Sequence, residues 1–156
     1  DGRKSAVKPS PEAFAKTISL AAFDRERVVM HEGRIIALAA DAGLFGFIEA
    51  RLPVIKAGTM IGELKKNELI PAHDLSMSAR QRQEAWTRHS LSREEALAFL
   101  RLEALNGSAM PEGRVLLTYR DVPLGFVKNL GNRVNNSYPR LWRIRMERET
   151  VMTEIL

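Results

Sequence analysis

At 156 residues and 17.5 kDa, with 45% hydrophobic side chains, the chain is one domain or two small ones with enough apolar content for a core, which excludes a disordered tail. No run approaches the ~18 apolar residues of a membrane span, and the start lacks a basic-then-apolar signal, so a soluble, cytoplasmic protein is the expectation. The absence of cysteine excludes disulfides, thiolate zinc sites and cysteine nucleophiles within these residues. The chain opens Asp1-Gly2-Arg3 without an initiator methionine, which raises the expectation of a piece of a longer polypeptide.

The formal charge of +5 is local. Residues 120–148 carry Arg120, Lys128, Arg133, Arg140, Arg143, Arg145 and Arg148 against Asp121 and Glu147, an excess equal to that of the whole chain. Arginine predominates, and its planar guanidinium suits phosphates and stacked bases. A solvated basic face is the plainer reading of the same residues.

In chain order, Ser10-Pro11-Glu12 is a helix start, and the helix is expected to run through Phe14, Ile18 and Leu20 and fade near Phe23. Val28-Val29-Met30 and Ile35-Ile36-Ala37-Leu38 predict a hairpin turning at Gly33. Short apolar segments at 52–55 and 60–64 extend it into a small antiparallel sheet. Pro71-Ala72-His73-Asp74 marks a return to helix, expected through Trp86, with an interhelical segment at His89. Ser92-Arg93-Glu94-Glu95 is a capping box, and the helix it opens should place Leu97, Leu100, Ala104 and Leu105 on one face and end at Asn106-Gly107. Residues 107–112 are the expected domain boundary. Beyond them Val115 to Tyr119 and Pro123 to Val127 predict strands flanking a turn at Asp121, and Leu141-Trp142-Arg143-Ile144-Arg145 alternates like a strand with one cationic face.

Chemistry within these residues is sparse. His31, His73 and His89 have no metal-ligand spacing, Glu95 is accounted for by the cap, and nucleophile elbow, phosphate loop and dinucleotide fingerprint are absent. The segment 122–140 is the informative one. Lys128, Arg133 and Arg140 supply charge, Asn132, Asn135 and Asn136 supply amides, and Tyr138 and Trp142 supply flat faces. Cations interleaved with amides and aromatics suit single-stranded or loop RNA, whose unstacked bases need stacking planes and edge hydrogen bonds. The competing reading makes Asn and Gly turn builders and gives Tyr138 and Trp142 to the core.

Pro123-Leu124-Gly125-Phe126-Val127-Lys128, Gly131-Asn132-Arg133 and Asn135-Asn136-Ser137-Tyr138-Pro139 resemble the C-terminal module of RsmF-type ribosomal RNA cytosine-C5 methyltransferases of the Sun/Fmu superfamily. Upstream, Lys56-Ala57-Gly58, Ile61 to Lys66 and Pro71-Ala72-His73-Asp74-Leu75 are similar to that family's interdomain segment, and Leu91 to Glu95 with Phe99, Leu100 and Glu103 to the helix before the module. Coverage is roughly residues 25–146. Two positions depart: the family often has Gly where Leu102 stands and Lys where Asn135 stands.

The resemblance implies an α+β fold, a small antiparallel sheet with flanking helices followed by a PUA-like β-barrel module. The expected organisation is an N-terminal helix over 1–25, an interdomain segment over 26–107 and an RNA-binding module over 108–156. The implied RNA contacts are Lys128, Asn129, Arg133, Asn135, Asn136, Tyr138, Arg140, Arg143 and Arg145. No catalytic, cofactor or metal residue is assigned. S-adenosylmethionine is implied for a parent enzyme, with ribosomal RNA (transfer RNA second) and an N-terminal methyltransferase domain of the same polypeptide as partners. The alternative is a structural docking module that touches no RNA.

Overall fold

Strands β1 (Val28–His31) and β2 (Arg34–Leu38) form the expected hairpin, closed by the His31–Arg34 pair with Gly33 at φ 79° in the left-handed region. The structure is a computed structural model that describes residues 27–146 apart from 32, 66 and 67; the expected helix over 10–23 lies outside the described residues. These divide into two compact units at Thr87/Arg88.

In the first unit, β2 pairs antiparallel with β3 (Gly58–Lys65) and β3 with β4 (Glu68–Pro71), giving the order β1-β2-β3-β4. A Cβ on Gly58 would collide with Ala37 O across the β2–β3 pair, and glycine alone allows that approach. Ile35 and Ile61 are fully buried on this sheet, and Leu75 lies in the same unit's core. Residues 52–55, expected to add a strand, are irregular. Helix α1 (Ala42–Glu49), which the sequence reading missed, lies before them, capped by Asp41 Oδ1 accepting from Leu44 N at 2.8 Å.

The helix expected from residue 73 to Trp86 stops after one turn, α2 (His73–Ser76). Ser76 Oγ bonds back to His73 O, and the amide of Gln81 takes Ser76 O at 2.7 Å, so side chains occupy carbonyls that a longer helix would use. The polar stretch at 87–90 is a strand, β5 (Thr87–Ser90), rather than an interhelical link.

The second unit carries the expected capping box. Ser92 Oγ accepts from Glu95 N, and Ser92 N donates to the Glu95 carboxylate at 2.8 Å, opening α3 (Arg93–Leu100). The last sheet has the order β5-β6-β7-β8, with β6 (Gly113–Tyr119) and β7 (Val122–Asn129) joined by Arg120-Asp121, both at positive φ, as a tight hairpin turn demands. A third partner, β8 (Val134–Asn136), was hidden in the Asn-rich segment. Phe99 of α3 packs with Leu91, Ala96, Met110, Val115, Leu117 and Val127 on one face of this sheet, while Leu116 and Phe126 are buried on the other.

This packing moves the boundary. The division falls at Thr87/Arg88 rather than at 107–112, because α3 contributes Phe99 to the core of the sheet that follows it and cannot belong to the preceding unit. The result is the α+β frame of a PUA-like domain: among the described residues, a four-stranded sheet in which β6, β7 and β8 run antiparallel, with one helix against it.

Candidate nucleic-acid interface

The chain after β7 is built around Asn129. Its amide donates to Gly107 O at 2.9 Å, Met110 O at 2.8 Å and Pro111 O at 3.3 Å, and its Oδ1 accepts from Gly131 N at 3.1 Å. A Cβ at Gly107 would come within 2.6 Å of Asn129 Oδ1, so the site needs glycine there. Asn129 is 2% exposed. Expected at the RNA surface, it is instead an internal strut, because every polar atom it has is spent on backbone. With Leu130 N bonded to Arg133 O and Gly131 at φ 78°, the strut sets a tight turn that leaves Arg133 in solvent.

Asn136 has a similar duty. Its amide donates to Phe99 O at 2.8 Å and its Oδ1 accepts from Tyr138 N at 2.8 Å. The Tyr138 ring meets Phe99 edge-on, 5.3 Å between centroids, and its hydroxyl donates to Trp142 O. Burial pushes the Tyr138 phenol above its ordinary value, which keeps it protonated at neutral pH. Tyr138 is thus half core, half surface.

Residues 141–145 do not form the expected strand. Trp142 N bonds to Pro139 O at 3.0 Å, making a 3-10 turn over Arg140–Trp142, and Ile144 N bonds to Leu100 O at 3.1 Å. The backbone is therefore fastened to one of the carbonyls left open at the end of α3 and not to a strand edge. Arg140, Arg143 and Arg145 are left exposed, together with Leu141 at 88% and Trp142 at 57%. The flat face given to solvent is that of Trp142 more than that of Tyr138.

Asn135, Asn136, Tyr138 and Arg140 come together along one open cleft of roughly 680 Å³, closed on its other side by Leu102, Glu103 and Ala104. Arg133, Arg143 and Arg145 lie outside that lining, and half-buried Lys128 stands opposite Asn135 across the β7–β8 pair. The far wall was not singled out from the sequence as part of a site. It exists because α3 ends in a left-handed residue, Leu102 at φ 58°, with Glu103 N bonding Ala98 O and Leu102 N bonding Phe99 O, the paired bonds that end a helix with a left-handed residue. Leu102 stands where the resemblance has Gly, and that departure was the signal. The Glu103 carboxylate is held by Arg101 Nε at 2.7 Å.

Residues 87–144 match the family described as "Methyltransferase RsmF PUA domain", a span that begins at the boundary between the two units. Two curated relatives, both ribosomal RNA small subunit methyltransferase F, from Shewanella halifaxensis (strain HAW-EB4) and Shewanella pealeana (strain ATCC 700345 / ANG-SQ1), are each 43% identical over 56 residues. Those residues are 35% of this chain and 12% of either relative, so the chain spans a small part of their length. The chain carries an RsmF-type C-terminal region whose PUA domain, a domain associated with RNA methyltransferases, occupies residues 87–144.

Proposed function

We propose that the PUA domain binds ribosomal RNA through residues 128–145 and presents a cytosine of the 16S molecule to an S-adenosylmethionine-dependent C5 methyltransferase domain of the same polypeptide. The observation that carries this reading is the exposed row Arg140, Leu141, Trp142, Arg143 and Arg145, shaped by a 3-10 turn and pinned to the end of α3 by the Ile144 N–Leu100 O bond. Cations on a fixed frame contact phosphates without a large ordering cost, and an exposed indole among them offers a stacking plane. Arg133, Arg140, Arg143 and Arg145 contact the backbone in this reading. Lys128 and Asn135 contribute across the β7–β8 pair, and Tyr138 contributes from the cleft. Asn129 and Asn136 act indirectly, through the loops they hold.

The test is RNA affinity as a function of salt. Arg133→Ala and Arg143→Ala should each weaken binding and flatten the log–log slope by about 0.7 to 0.9. Unchanged affinity and slope in a folded double variant would overturn the proposal.

A second reading, docking on a catalytic domain without RNA contact, is favoured by α1. None of its residues is buried, Phe47 is 57% exposed, and the following Ile55 is fully exposed at 101%. Association with a separately produced methyltransferase domain, alongside no RNA binding at low salt, would establish docking as the sole role.

A further inference from the structure

Among the described residues β8 is the edge of its sheet, since the order β5-β6-β7-β8 leaves it a neighbour on one side alone. Ser137 N donates to Phe126 O at 3.2 Å and Leu130 N to Arg133 O at 2.9 Å, which fixes the bonded pairs at either end of the β7–β8 ladder. Such pairs alternate along antiparallel strands, so Asn135, opposite Lys128, turns its N–H and C=O to β7. Val134 and Asn136 therefore turn theirs outward, and among the described residues no backbone bond meets them there. An open cleft runs beside Val134, Asn135, Asn136, Ser137 and Tyr138 in succession, so the strand is reachable from solvent along its length.

We propose that the β8 edge binds an extended peptide as an added strand, one in which acidic and apolar residues alternate. This pairing does not depend on RNA binding.

A free strand edge is a template for another strand: its main-chain groups supply affinity, and the side chains flanking it choose the sequence. The two sides of β8 differ. Asn136 sends its side chain to the end of α3, where its amide meets Phe99 O, and the cleft is closed there by Leu102, Ala104 and Tyr138, whose ring packs on Phe99. Glu103, ion-paired with Arg101 at 2.7 Å, belongs to the same wall and disfavours a second carboxylate. Successive residues of a strand point to opposite faces, so every second side chain of an added strand lies on this side and has to be apolar. The others lie on the side of Asn135, which is exposed and shares its face with Lys128. Arg133 and Arg140 stand in solvent beyond either end of β8, a positive border that attracts carboxylates. The same border repels a second copy of this edge, which leaves an acidic partner as the occupant.

The experiment uses the full chain and an acetylated, amidated hexapeptide alternating glutamate and valine. A second hexapeptide of the same sequence is N-methylated throughout, which keeps side chains and charge and removes every backbone donor. Amide hydrogen exchange is followed by NMR on the isotope-labelled chain. In the free chain the Asn135 N–H should exchange slowly and those of Val134 and Asn136 fast. The plain peptide should slow Val134 and Asn136 by about tenfold or more, and the methylated one should bind about tenfold more weakly. Val134→Pro removes an outward donor and no ladder bond, so a thermal melt should show it folded while it binds the peptide more weakly. Equal binding of the methylated peptide, undiminished binding by folded Val134→Pro, or unchanged exchange at Val134 and Asn136 would each overturn the proposal. So would slowing of those two amides by a single-stranded RNA hexamer and not by the peptide, which would give the edge to RNA.

Discussion

The Asn129 amide donates to Met110 O at 2.8 Å, tying the end of β7 to the loop that precedes β6 across 19 residues of sequence. The bond is buried, and the same amide reaches two more carbonyls. Removing it leaves buried acceptors unmet, a loss of about 2–3 kcal/mol that lowers Tm by about 10 °C in a domain of this size. Asn129→Ala should therefore show this drop in a thermal melt. Asn129→Asp should be worse despite its matching shape, because it turns an acceptor and a negative charge toward three carbonyls. An unchanged Tm in either variant would return Asn129 to the surface role its neighbours suggested.

That residue also shows why parts of the site were illegible in the sequence. Asn is the residue of turns, of base edges and of internal struts alike, and only the position of the 107–111 loop decides among them. The hairpins at Gly33 and at Arg120-Asp121 were readable because their determinants are local: period-two apolar residues around positions that require positive φ. The capping box at Ser92 was readable for the same reason. Helix α1 was not, since Gly43 and Gly46 lower its propensity and its apolar residues are spread around it rather than along one stripe. The segment 141–145 alternates like a strand, yet its backbone N–H groups meet Pro139 O and Arg140 O in a local turn and Leu100 O at the end of α3, which periodicity cannot register. The cationic excess was visible from composition. The cleft was not, because Glu103 and Asn135 are 32 residues apart and meet only through the end of α3 and β8.

Leu102 at φ 58° is a strained choice at the position that closes α3. A left-handed conformation costs a non-glycine residue about 1–2 kcal/mol, against about 0.5–1 kcal/mol for the greater unfolded freedom of glycine. Leu102→Gly should thus stabilise the domain slightly, by up to about 1 kcal/mol, raising the denaturant midpoint without changing the slope. Leu102→Val, β-branched in the same conformation, should lower it. A clear loss of stability in the glycine variant would mean that the packing of the half-buried leucine outweighs the backbone strain.

The capping box makes stability depend on pH in a known direction. Hydrogen bonds from the Ser92 backbone, and then from its side chain, hold the Glu95 carboxyl below the ordinary glutamate range. A lowered folded-state value gives stability that is complete above the unfolded value of about 4.3 and is lost as pH falls through the lowered one. The gap between wild type and Glu95→Gln, followed by thermal melts from pH 7 downward, should accordingly be widest near neutrality and close in acid. Ser92→Ala should cost about 1 kcal/mol at pH 7. A gap that widens on acidification would remove Glu95 from the cap.

Trp142 separates stacking from charge at the proposed RNA surface. Its indole is 57% exposed beside Arg143, and its carbonyl, not its ring, accepts from the Tyr138 hydroxyl. Trp142→Ala should therefore weaken single-stranded RNA binding by the stacking contribution of one base, about 1–3 kcal/mol, in a chain that a thermal melt shows to be folded. Stacking releases no counterions, so the affinity curve should shift down at every salt concentration with its slope preserved, whereas the arginine variants change the slope itself. Trp142→Phe should recover part of the loss. A Trp142→Ala curve that lies on the wild-type curve would show that RNA, if bound through this segment, is held by its phosphates alone.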